Sequence, residues 1–583
     1  MRSQHELRQH LPAAAYFGIL LRRAQQFTDA PVLLQTYAAE FSAFRGDRSC
    51  GWLPQSRSEV LARNGMVATS HPLGAQAGLQ VLQNGGNAFD AAVATAAVMN
   101  VVEPCGAGIG GDVFVIAWAA REGRLIALNG SGRAARGATA QHLKQRGHAE
   151  LMPQLGIDSA VVPGAVDAWD ALLKRAGTLT FKELLQPAAD IAAEGFAVTE
   201  RIHHEWAQGA SVLAADPDSI KTYLQDGKPP PVYGVFRNPD LARTFRTLQT
   251  QGRDGFYSGE IGVKLLAKSR ALGGALDQRD LDETRADWVS PICTTYHGYE
   301  VHEFPPSTQG FAVLEMLNIL EACAPILGLD LKALGPKSPL YWHLLVEAKK
   351  LAYEDLHAFN ADPLFEQVPL ARLVSKSHAA ELCRKIDPHR ASVPKTVHEP
   401  AGGTVYLATA DRWGNMVSFI FSIYQGFGSG ITVPGCGFVL NNRAALFSLD
   451  PRSPNRIAPG KRPFHTLLPG FVMQDGRPLM AFGLMGAAQQ AQGHVQVLID
   501  LLDLGANVQA ASDAARFSHD QATNTLQLES TLYDLVGPAL RDLGHNAVSC
   551  NGEGMGGYQA IALLDGVYRG GSDHRKDGQA VGW

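Results

Sequence analysis

Apolar and polar positions begin to follow a regular pattern at Asn64. From there the run NGMVATSHPLGAQAGLQVLQNGGNAFDAAVATAAVMNVVEP predicts a strand, a helix, a Gly-Gly turn and a second helix. Asn87, with Asp90 three residues later, indicates an N-cap and an acid near the start of the second helix. Residues 91–102 are small and apolar on every side, so we expect this helix to be buried.

The rest of the pattern alternates between helical and extended segments. A glycine-rich turn, CGAGIGGD (105–112), precedes the strand VFVIAW, and helical patterns dominate residues 165–355. Residues 390–403, RASVPKTVHEPAGG, carry few large apolar side chains and are expected to be exposed and mobile. The runs TVYLATA and NMVSFIFSIY then predict a hairpin joined by DRWG, and further strands are predicted in GFVLNN, FVMQDGRPLMAFG and QAIALLDGVYRG. This order predicts a layered α/β protein with helices outside an antiparallel-rich sheet.

Composition excludes several classes of protein. Of the 583 residues 46% are hydrophobic and 18% charged, which excludes collagen, coiled coil and disorder. With 51 basic and 56 acidic residues the net charge is −5, and no local basic patch is present, so no nucleic-acid partner is expected. The uncharged run at 91–102 is too short to span a bilayer, so no membrane partner is expected either.

The N-terminal residues 1–56 form an extension of unknown role, without a motif of their own. Residues 1–23 predict an amphipathic helix rather than a signal peptide, because Glu6 interrupts the front and no small-residue cleavage site precedes Arg22 and Arg23. The seven cysteines include no C-x-x-C pair, so neither a disulfide framework nor a zinc site is indicated. These features favour a cytoplasmic location.

Three catalytic or cofactor motifs are either incomplete or flanked by the wrong elements. Gly106, Gly108 and Gly111 match G-x-G-x-x-G, but a dinucleotide site needs a strand before the glycines and a helix after them, and the predicted order is the reverse. The pairs at 5–6 and 204–205 lack the second histidine of a zinc-protease helix, and GFGSG around Ser429 is not a nucleophile elbow. We therefore expect no metal and no cofactor.

The remaining chemical signal is GGT at 402–404. A threonine hydroxyl is a weak nucleophile unless a base lies within hydrogen-bond reach, and the α-amine of an N-terminal threonine can be that base. Cleavage of the Gly403–Thr404 bond would expose this amine, between small residues and an expected strand. The alternative is that Thr404 is an ordinary threonine at the start of a strand.

Several further segments, taken together, resemble the γ-glutamyltransferase family. They include NGMVATSHPLGAQAG, NGGNAFDAAVA, EPCGAGIGGD, VPGAVDAWDAL, FPPSTQG, GTVYLATADRWGN, GFGSGI, GKRPFHTLLPG, GLMGAAQQAQGHVQ and GGSDHRKDGQAVGW. Their order and spacing agree across roughly residues 60–583. The motif NGSGRA resembles the branch that includes oxamate amidohydrolases.

The resemblance implies an N-terminal-nucleophile hydrolase with a four-layer αββα sandwich, an α/β (α+β) fold made as a self-cleaving proenzyme. It implies a large subunit at 57–403, a small subunit at 404–583, and a homodimer of that heterodimer as a further assembly. Thr404 corresponds to the nucleophile, with Gly403–Thr404 as the cleavage site. Ser422 falls where the family has a hydroxyl beside the nucleophile's amine, although an outward-facing strand serine is the alternative. Gly486 and Ala487 fall where main-chain N–H groups form an oxyanion hole.

Other positions depart from the pattern of the glutamyl-transferring members. Their acidic or amide pair after Asn-Asn is replaced by Arg443 and Leu446, which cannot accept hydrogen bonds from an ammonium group. Their serine pair corresponds to His465 and Thr466, and Tyr424 replaces an asparagine. Ser131 stands at the position of the arginine that pairs with the glutamyl carboxylate, with Arg133 two residues later.

These departures predict a pocket without an α-amine site but with positive charge from Arg133, Arg443 and His465. The expected substrate is a small amide that carries a carboxylate, of the oxamate type, which is hydrolysed through an acyl-threonine. Arg133 and Arg443 as solvated surface charges, and His465 as a structural histidine, are the alternatives for these residues. For the whole chain, the alternatives are a γ-glutamyl hydrolase or transferase acting on glutathione, and a non-catalytic relic of the fold.

Overall fold

The computed structural model describes residues 55–395 and 402–583. The predicted amphipathic helix, most of the N-terminal extension and residues 396–401 of the predicted exposed linker lie outside the described residues. At the boundary of the extension, the N–H and Oγ of Ser56 both donate to Asp513 Oδ2, at 2.6 and 2.8 Å.

The described residues contain nineteen β-strands. In chain order they are β1 Val60–Ala62, β2 Gly65–Thr69, β3 Asp112–Ala119, β4 Arg124–Gly130, β5 Phe196–Ala197, β6 Val235–Phe236, β7 Asp287–Val289, β8 Ile292–Tyr296, β9 Tyr299–Glu303, β10 Val405–Asp411, β11 Met416–Ser422, β12 Pro469–Gln474, β13 Arg477–Leu484, β14 Phe517–Asp520, β15 Thr525–Glu529, β16 Asn546–Cys550, β17 Tyr558–Leu564, β18 Val567–Ser572 and β19 Gln579–Gly582.

The same residues contain nineteen α-helices and two short 3-10 helices, Ile157–Ser159 and Arg443–Leu446. The α-helices are α1 Pro72–Gln83, α2 Ala88–Val102, α3 Ala140–Gln145, α4 Ala165–Ala176, α5 Phe181–Leu184, α6 Gln186–Glu194, α7 Glu200–Leu213, α8 Pro217–Tyr223, α9 Pro239–Tyr257, α10 Glu260–Ala271, α11 Gln278–Asp282, α12 Gly310–Leu327, α13 Leu331–Leu334, α14 Pro339–Phe359, α15 Leu370–Leu373, α16 Lys376–Cys383, α17 Gln489–Leu502, α18 Val508–Asp513 and α19 Ser530–Asp542.

Most strands belong to two seven-stranded sheets. Sheet I has the order β19-β2-β10-β11-β3-β4-β7, and sheet II has the order β1-β18-β17-β13-β12-β9-β8. Every pairing within both sheets is antiparallel. Strands β14–β16 form a small separate sheet, and β5 pairs with β6.

The two sheets stack face to face and are covered by helices on their outer faces. Along β10, Tyr406 and Ala408 face sheet II, whereas Val405 and Leu407 face α2, as the two-residue period of a strand requires. Helices α1 and α2 pack on sheet I, and α12 and α17 pack on sheet II. These are the four layers of an αββα sandwich, so the predicted fold class is confirmed.

The start of the chain's regular pattern folds as predicted. Strand β2, helix α1 and helix α2 follow one another, and every residue of α2 is buried. The Asn87 side chain accepts the N–H of Asp90, and the Asp90 side chain accepts the N–H of Asn87. The predicted hairpin is also confirmed, since β10 and β11 pair from Val405↔Phe421 to Ala410↔Met416.

The strand predicted in GFVLNN is wrong. In this segment only an isolated bridge occurs, between Val439 and Thr432. The backbone instead bonds to neighbouring loops, with the N–H of Asn441 donating to Gly110 O and that of Asn442 to Ile423 O. The backbone of this segment therefore hydrogen-bonds to loops and does not pair with a strand of a sheet.

Within the described part of the chain, one helix, α12, is long and apolar enough to span a membrane by length and composition alone. It packs on sheet II and against α14 and α16, and twelve of its residues are buried. Glu315 and Asn318 lie among the buried residues, as is usual for a core helix that carries a few polar side chains.

Candidate active site

Thr404 lies directly before β10 and is 5% exposed. Val405 pairs with Phe421 at the open end of the hairpin. Thr404 precedes Val405 and Ser422 follows Phe421, so the two residues lie side by side. The register of β10 and β11 thus brings these two hydroxyl side chains together. Sequence reasoning selected both residues, and the structure places both at the same end of sheet I.

Two hydroxyl groups converge on the carbonyl group of Gly403. Thr404 Oγ1 donates to Gly403 O at 2.6 Å, and Ser422 Oγ donates to the same oxygen at 2.8 Å. The N–H of Tyr424 donates to Ser422 Oγ at 2.7 Å and so fixes the direction of that hydroxyl. The Thr404 hydroxyl thus lies beside a carbonyl group whose oxygen also accepts a hydrogen bond from Ser422. This arrangement suits an acyl shift from nitrogen to oxygen.

The glycine-rich turn 105–112 packs against this peptide bond. A Cβ on Gly403 would lie 3.3 Å from Gly106 Cα, and one on Gly111 would lie 2.1 Å from Ser422 O. The turn therefore depends on glycine for close approach of three backbone segments. Helix α2 precedes the turn and β3 follows it, which is the element order predicted from the sequence.

Gly486 and Ala487 precede α17 by one turn and present main-chain donors. Within the described residues, the N–H groups of Gly486 and Ala487 donate to no acceptor. Ala487 has φ = 51°, a left-handed conformation that is costly for a residue with a Cβ. Gln309 Nε2 donates to Ala487 O at 2.9 Å and holds the turn in place. Two unused N–H groups at the positive end of a helix can stabilise an oxyanion.

A cavity of about 480 Å³ opens beside the Gly403–Thr404 bond. Its lining includes Gly403, Thr404 and Gly486, the turn residues Cys105 and Gly106, one face of α7, and the loop from Gly552 to Gly556. Lys576 and Arg575 complete the wall. The predicted nucleophile, scissile bond and one predicted oxyanion donor therefore share a single cavity.

The five predicted substrate-binding residues are not among the described residues that line this cavity. Arg443 is fully buried, with Nε 3.0 Å from Asp112 Oδ2, and His465 Nε2 lies 3.3 Å from the same oxygen. Burial and the charge of Arg443 lower the pKa of His465 to about 4, so its ring is neutral near pH 7. The prediction of free positive charge from Arg443 and His465 is thus wrong. Asp112 pairs with the charge of Arg443, and burial keeps the His465 ring neutral.

Tyr424 and Thr466 complete this buried cluster. The Arg443 guanidinium lies over the Tyr424 ring, 4.8 Å from its centroid, and Arg443 Nη1 is 3.4 Å from Thr466 Oγ1. The Tyr424 ring also packs beside Gly402. Tyr424 therefore packs next to the scissile bond and Thr466 contacts Arg443, and neither residue is among those that line the cavity.

Arg133 is also engaged inside the protein. Its Nη2 lies 2.9 Å from Asp287 Oδ2, its Nη1 lies 3.8 Å from Asp362 Oδ2, and Nη1 donates to Gly460 O. The expectation that Arg133 supplies charge to the pocket is corrected by these pairings. Ser131, at the position of the family's arginine, donates to Asn129 Oδ1.

Sequence reasoning missed the charged wall opposite Thr404. Lys576 Nζ pairs with Glu205 Oε1 at 2.5 Å, and Glu103 is buried next to this pair. Burial raises the pKa of Glu103 to about 8, so it is protonated near pH 7. Burial lowers the pKa of Lys576, but Glu205 and Glu103 outweigh this effect and raise it above its usual value. The helical spacing of residues 201, 204, 205 and 208 was the available signal for one side of this wall.

Among the residues that the structure describes, two groups of side chains could hold a metal ion, and neither belongs to the lining of the cavity. They are His343–Glu347–His545 and Glu315–Asp355–His378. Members of each already bond to one another or to a cation, since His378 Nε2 is 2.6 Å from Asp355 Oδ2 and Lys350 Nζ is 2.8 Å from Glu347 Oε1. The chemistry around Thr404 therefore draws on neither group.

Comparison with known proteins agrees with this geometry. The family model described as gamma-glutamyltranspeptidase matches residues 74–583. The chain is 35% identical to a glutathione hydrolase-like YwrD proenzyme of Bacillus subtilis, over 90% of this chain and 99% of the relative. It is 33% identical to an oxamate amidohydrolase proenzyme of Klebsiella pneumoniae, over 90% of this chain and 100% of the relative. The crystal structure of a cephalosporin acylase from Bacillus halodurans superposes with a TM-score of 0.85 at 39% identity, covering 92% of this chain and 99% of that one.

Proposed function

The chain belongs to the gamma-glutamyltranspeptidase family, whose relatives here are amide-hydrolysing proenzymes, and we propose that it matures by cutting itself at Gly403–Thr404 and then hydrolyses a small carboxylate-bearing amide. It is an enzyme of the N-terminal-nucleophile hydrolase type, as its fold and its relatives establish. The observation that carries the proposed chemistry is the convergence of the Thr404 and Ser422 hydroxyls on Gly403 O.

In the proposed maturation, Thr404 Oγ attacks the carbonyl carbon of Gly403. The proton of Thr404 Oγ passes to the peptide nitrogen as the C–N bond breaks, so that this nitrogen becomes the α-amine of Thr404 and Gly403 is left as an ester on Oγ. Ser422 Oγ donates a hydrogen bond to the carbonyl oxygen and stabilises the negative charge that develops there. Water then hydrolyses the ester and releases Gly403 as a carboxylate. The products are a large subunit ending at Gly403 and a small subunit of residues 404–583.

In the proposed turnover, the freed α-amine of Thr404 accepts the hydroxyl proton as Oγ attacks the substrate amide. The N–H groups of Gly486 and Ala487 stabilise the oxyanion, and the proton passes to the departing amine or ammonia. Water resolves the acyl-threonine by the same sequence of steps. Hydrolysis is favoured over transfer to an acceptor, since the family's glutamyl contacts are replaced at Arg443 and Leu446.

For the substrate we favour a carboxylate-bearing amide of the oxamate type, with oxamate as the shortest member of the class. The relative from Klebsiella pneumoniae supports this choice, together with the NGSGRA motif at residues 129–134. Hydrolysis of oxamate would release oxalate and ammonia. A second candidate is glutathione, because Glu205 and Glu553 place carboxylates on the cavity wall that could accept hydrogen bonds from an α-ammonium group.

An assay of purified protein with oxamate, glutathione and a neutral short-chain amide tests the proposal. We expect ammonia or amine release above background for at least one carboxylate-bearing substrate, and none from Thr404→Ala. Thr409→Ala is the matched control, because Thr409 is a buried threonine on β10 whose hydroxyl bonds to Ala88 O. Equal release by wild type and Thr404→Ala would overturn the assignment of Thr404.

A further inference from the structure

We propose that Arg201 binds the carboxylate of the substrate and that an apolar spacer joins this carboxylate to the amide, so that the enzyme selects substrates longer than oxamate. The inference rests on the proposed function and names a residue of the same cavity for substrate selection. It replaces Arg133 and Arg443, whose charges are used inside the protein.

Arg201 reaches the cavity because of where α7 begins. The Thr199 side chain caps this helix by accepting the N–H of Ile202, and Thr199 Oγ1 donates to Asp577 Oδ2 at 2.6 Å. Asp577 is the neighbour of Lys576, which lines the cavity, so the first turn of α7 is fixed against the opposite wall. Arg201 and Glu205 are four residues apart and therefore share the face of α7 that lines the cavity.

Among the cations of this wall, Arg201 has its charge available. Arg575 is buried and pairs with Glu529 at 2.5 Å and Asp573 at 3.1 Å, and Lys576 pairs with Glu205. Arg201 forms no salt bridge and donates no hydrogen bond within residues 55–395 and 402–583. The positive charge of Arg201 acts electrostatically on Glu205, but the Glu205 carboxylate is already hydrogen-bonded to Lys576. A guanidinium in this state matches an incoming carboxylate through two parallel hydrogen bonds.

The shape of the cavity indicates a spacer between carboxylate and amide. Leu155, Val212 and Met485 give the lining apolar side chains, and the volume of about 480 Å³ is in the range of pockets for ligands much larger than oxamate. Arg201 also borders a second, polar cavity of about 260 Å³ that includes His204, His574 and Arg575. Arg201 therefore stands where the cavity of Thr404 meets a strongly polar one. A substrate that carries a carboxylate at one end could place it here while the amide at its other end reaches Thr404.

The test compares three anilides of similar length that carry a carboxylate on the acyl side, on the amine side or not at all. Glutaryl-4-nitroanilide carries it on the acyl side, N-pentanoyl-4-aminobenzoate carries it on the amine side, and pentanoyl-4-nitroanilide is neutral. We expect Arg201→Gln to lower kcat/KM by about 10- to 100-fold for a carboxylate-bearing substrate, mainly through KM, and to change the neutral one less than about twofold. Arg201→Lys should recover part of the loss, since it keeps the charge but not the fork. Arg246→Gln, an exposed arginine on α9, is the matched control.

The outcomes separate the two sources of the carboxylate. A loss confined to the glutaryl substrate places it on the acyl group, and a loss confined to the aminobenzoate places it on the leaving amine. An equal loss for the neutral anilide, or no loss for either acid, would overturn the role of Arg201.

Binding of glutarate provides a readout that does not need turnover. We expect Arg201→Gln to weaken glutarate binding at least tenfold by calorimetry, in wild-type and Thr404→Ala backgrounds alike. Binding that depends on Arg201 without any hydrolysis would refute the proposed function and leave this inference standing. Hydrolysis with glutarate binding that ignores Arg201 would do the reverse.

Discussion

At the scale of single residues, the hydroxyl of Ser422 has a defined direction. It accepts the N–H of Tyr424 and donates to Gly403 O, so its hydrogen points at the oxygen that becomes negative during cleavage. Removal of one such donor costs about 10²- to 10³-fold in rate in other enzymes. We therefore expect Ser422→Ala to slow self-cleavage by about 10²-fold, measured as the disappearance of the intact chain with time.

Ser418→Ala is the control for that prediction. Ser418 is a buried serine on the same strand, and its hydroxyl bonds to Tyr406 and Phe482 O, away from Gly403. It should cleave at the wild-type rate even if its stability falls. Equal slowing in both variants would mean that the effect of Ser422 is structural.

Residue identity predicted the catalytic group better than the binding group. Thr404 was singled out by the GGT motif before a predicted strand, and the resemblance to the family assigned roles to Thr404, Ser422 and Gly486. Arg133, Arg443 and His465 were misjudged because the sequence does not show which acids lie beside them. Asp112 is 331 residues from Arg443 in the chain, and only the folded structure brings the pair together.

At the scale of elements, the pair Asp112–Arg443 joins the start of β3 to the 3-10 helix after Asn442. Both side chains are fully buried, and removal of one partner from such a pair costs about 3–5 kcal/mol. We expect Asp112→Asn, which keeps an acceptor for the N–H of Gly132 but loses the charge, to lower the melting temperature by several degrees. The measurement is best made in a Thr404→Ala background, so that all samples are one chain.

The comparison variant is Asp450→Asn. Asp450 and Arg452 pair on the surface, where water screens the interaction, and the melting temperature should stay unchanged. A similar shift in both variants would show that burial adds nothing to the pair at Asp112.

The elements that the sequence predicted are those with local causes. The capped helix α2 and the hairpin β10–β11 follow from periodicity, capping residues and turns within a few positions, whereas the two sheets also need pairings of distant strands, such as β2 with β10. GFVLNN was misassigned because its backbone partners, Gly110 and Ile423, belong to distant or irregular loops. The helical spacing of the polar residues on α7 could be read from the sequence. That this face lines a cavity could not, because the opposite wall includes Lys576, far along the chain.

At the scale of the whole molecule, the segments before and after Thr404 build both sheets together. In sheet I, β10 and β11 lie between β2 and β3, and in sheet II, β12 pairs with β9. Each cut piece thus contributes strands to a shared core. We expect the two subunits to remain associated after cleavage under native conditions and to separate only when denatured.

Self-cleavage that creates Thr404 as a new N-terminus is the step on which the activity of this enzyme depends. The most direct test is the intact mass of the purified wild-type chain beside Thr404→Ala and Thr409→Ala, recorded under denaturing conditions. We expect wild type and Thr409→Ala to divide into pieces of 403 and 180 residues, the second beginning at Thr404, and Thr404→Ala to stay at 62.5 kDa. A wild-type chain that stays whole through long incubation, or a Thr404→Ala chain cut at the same bond, would contradict self-cleavage by Thr404.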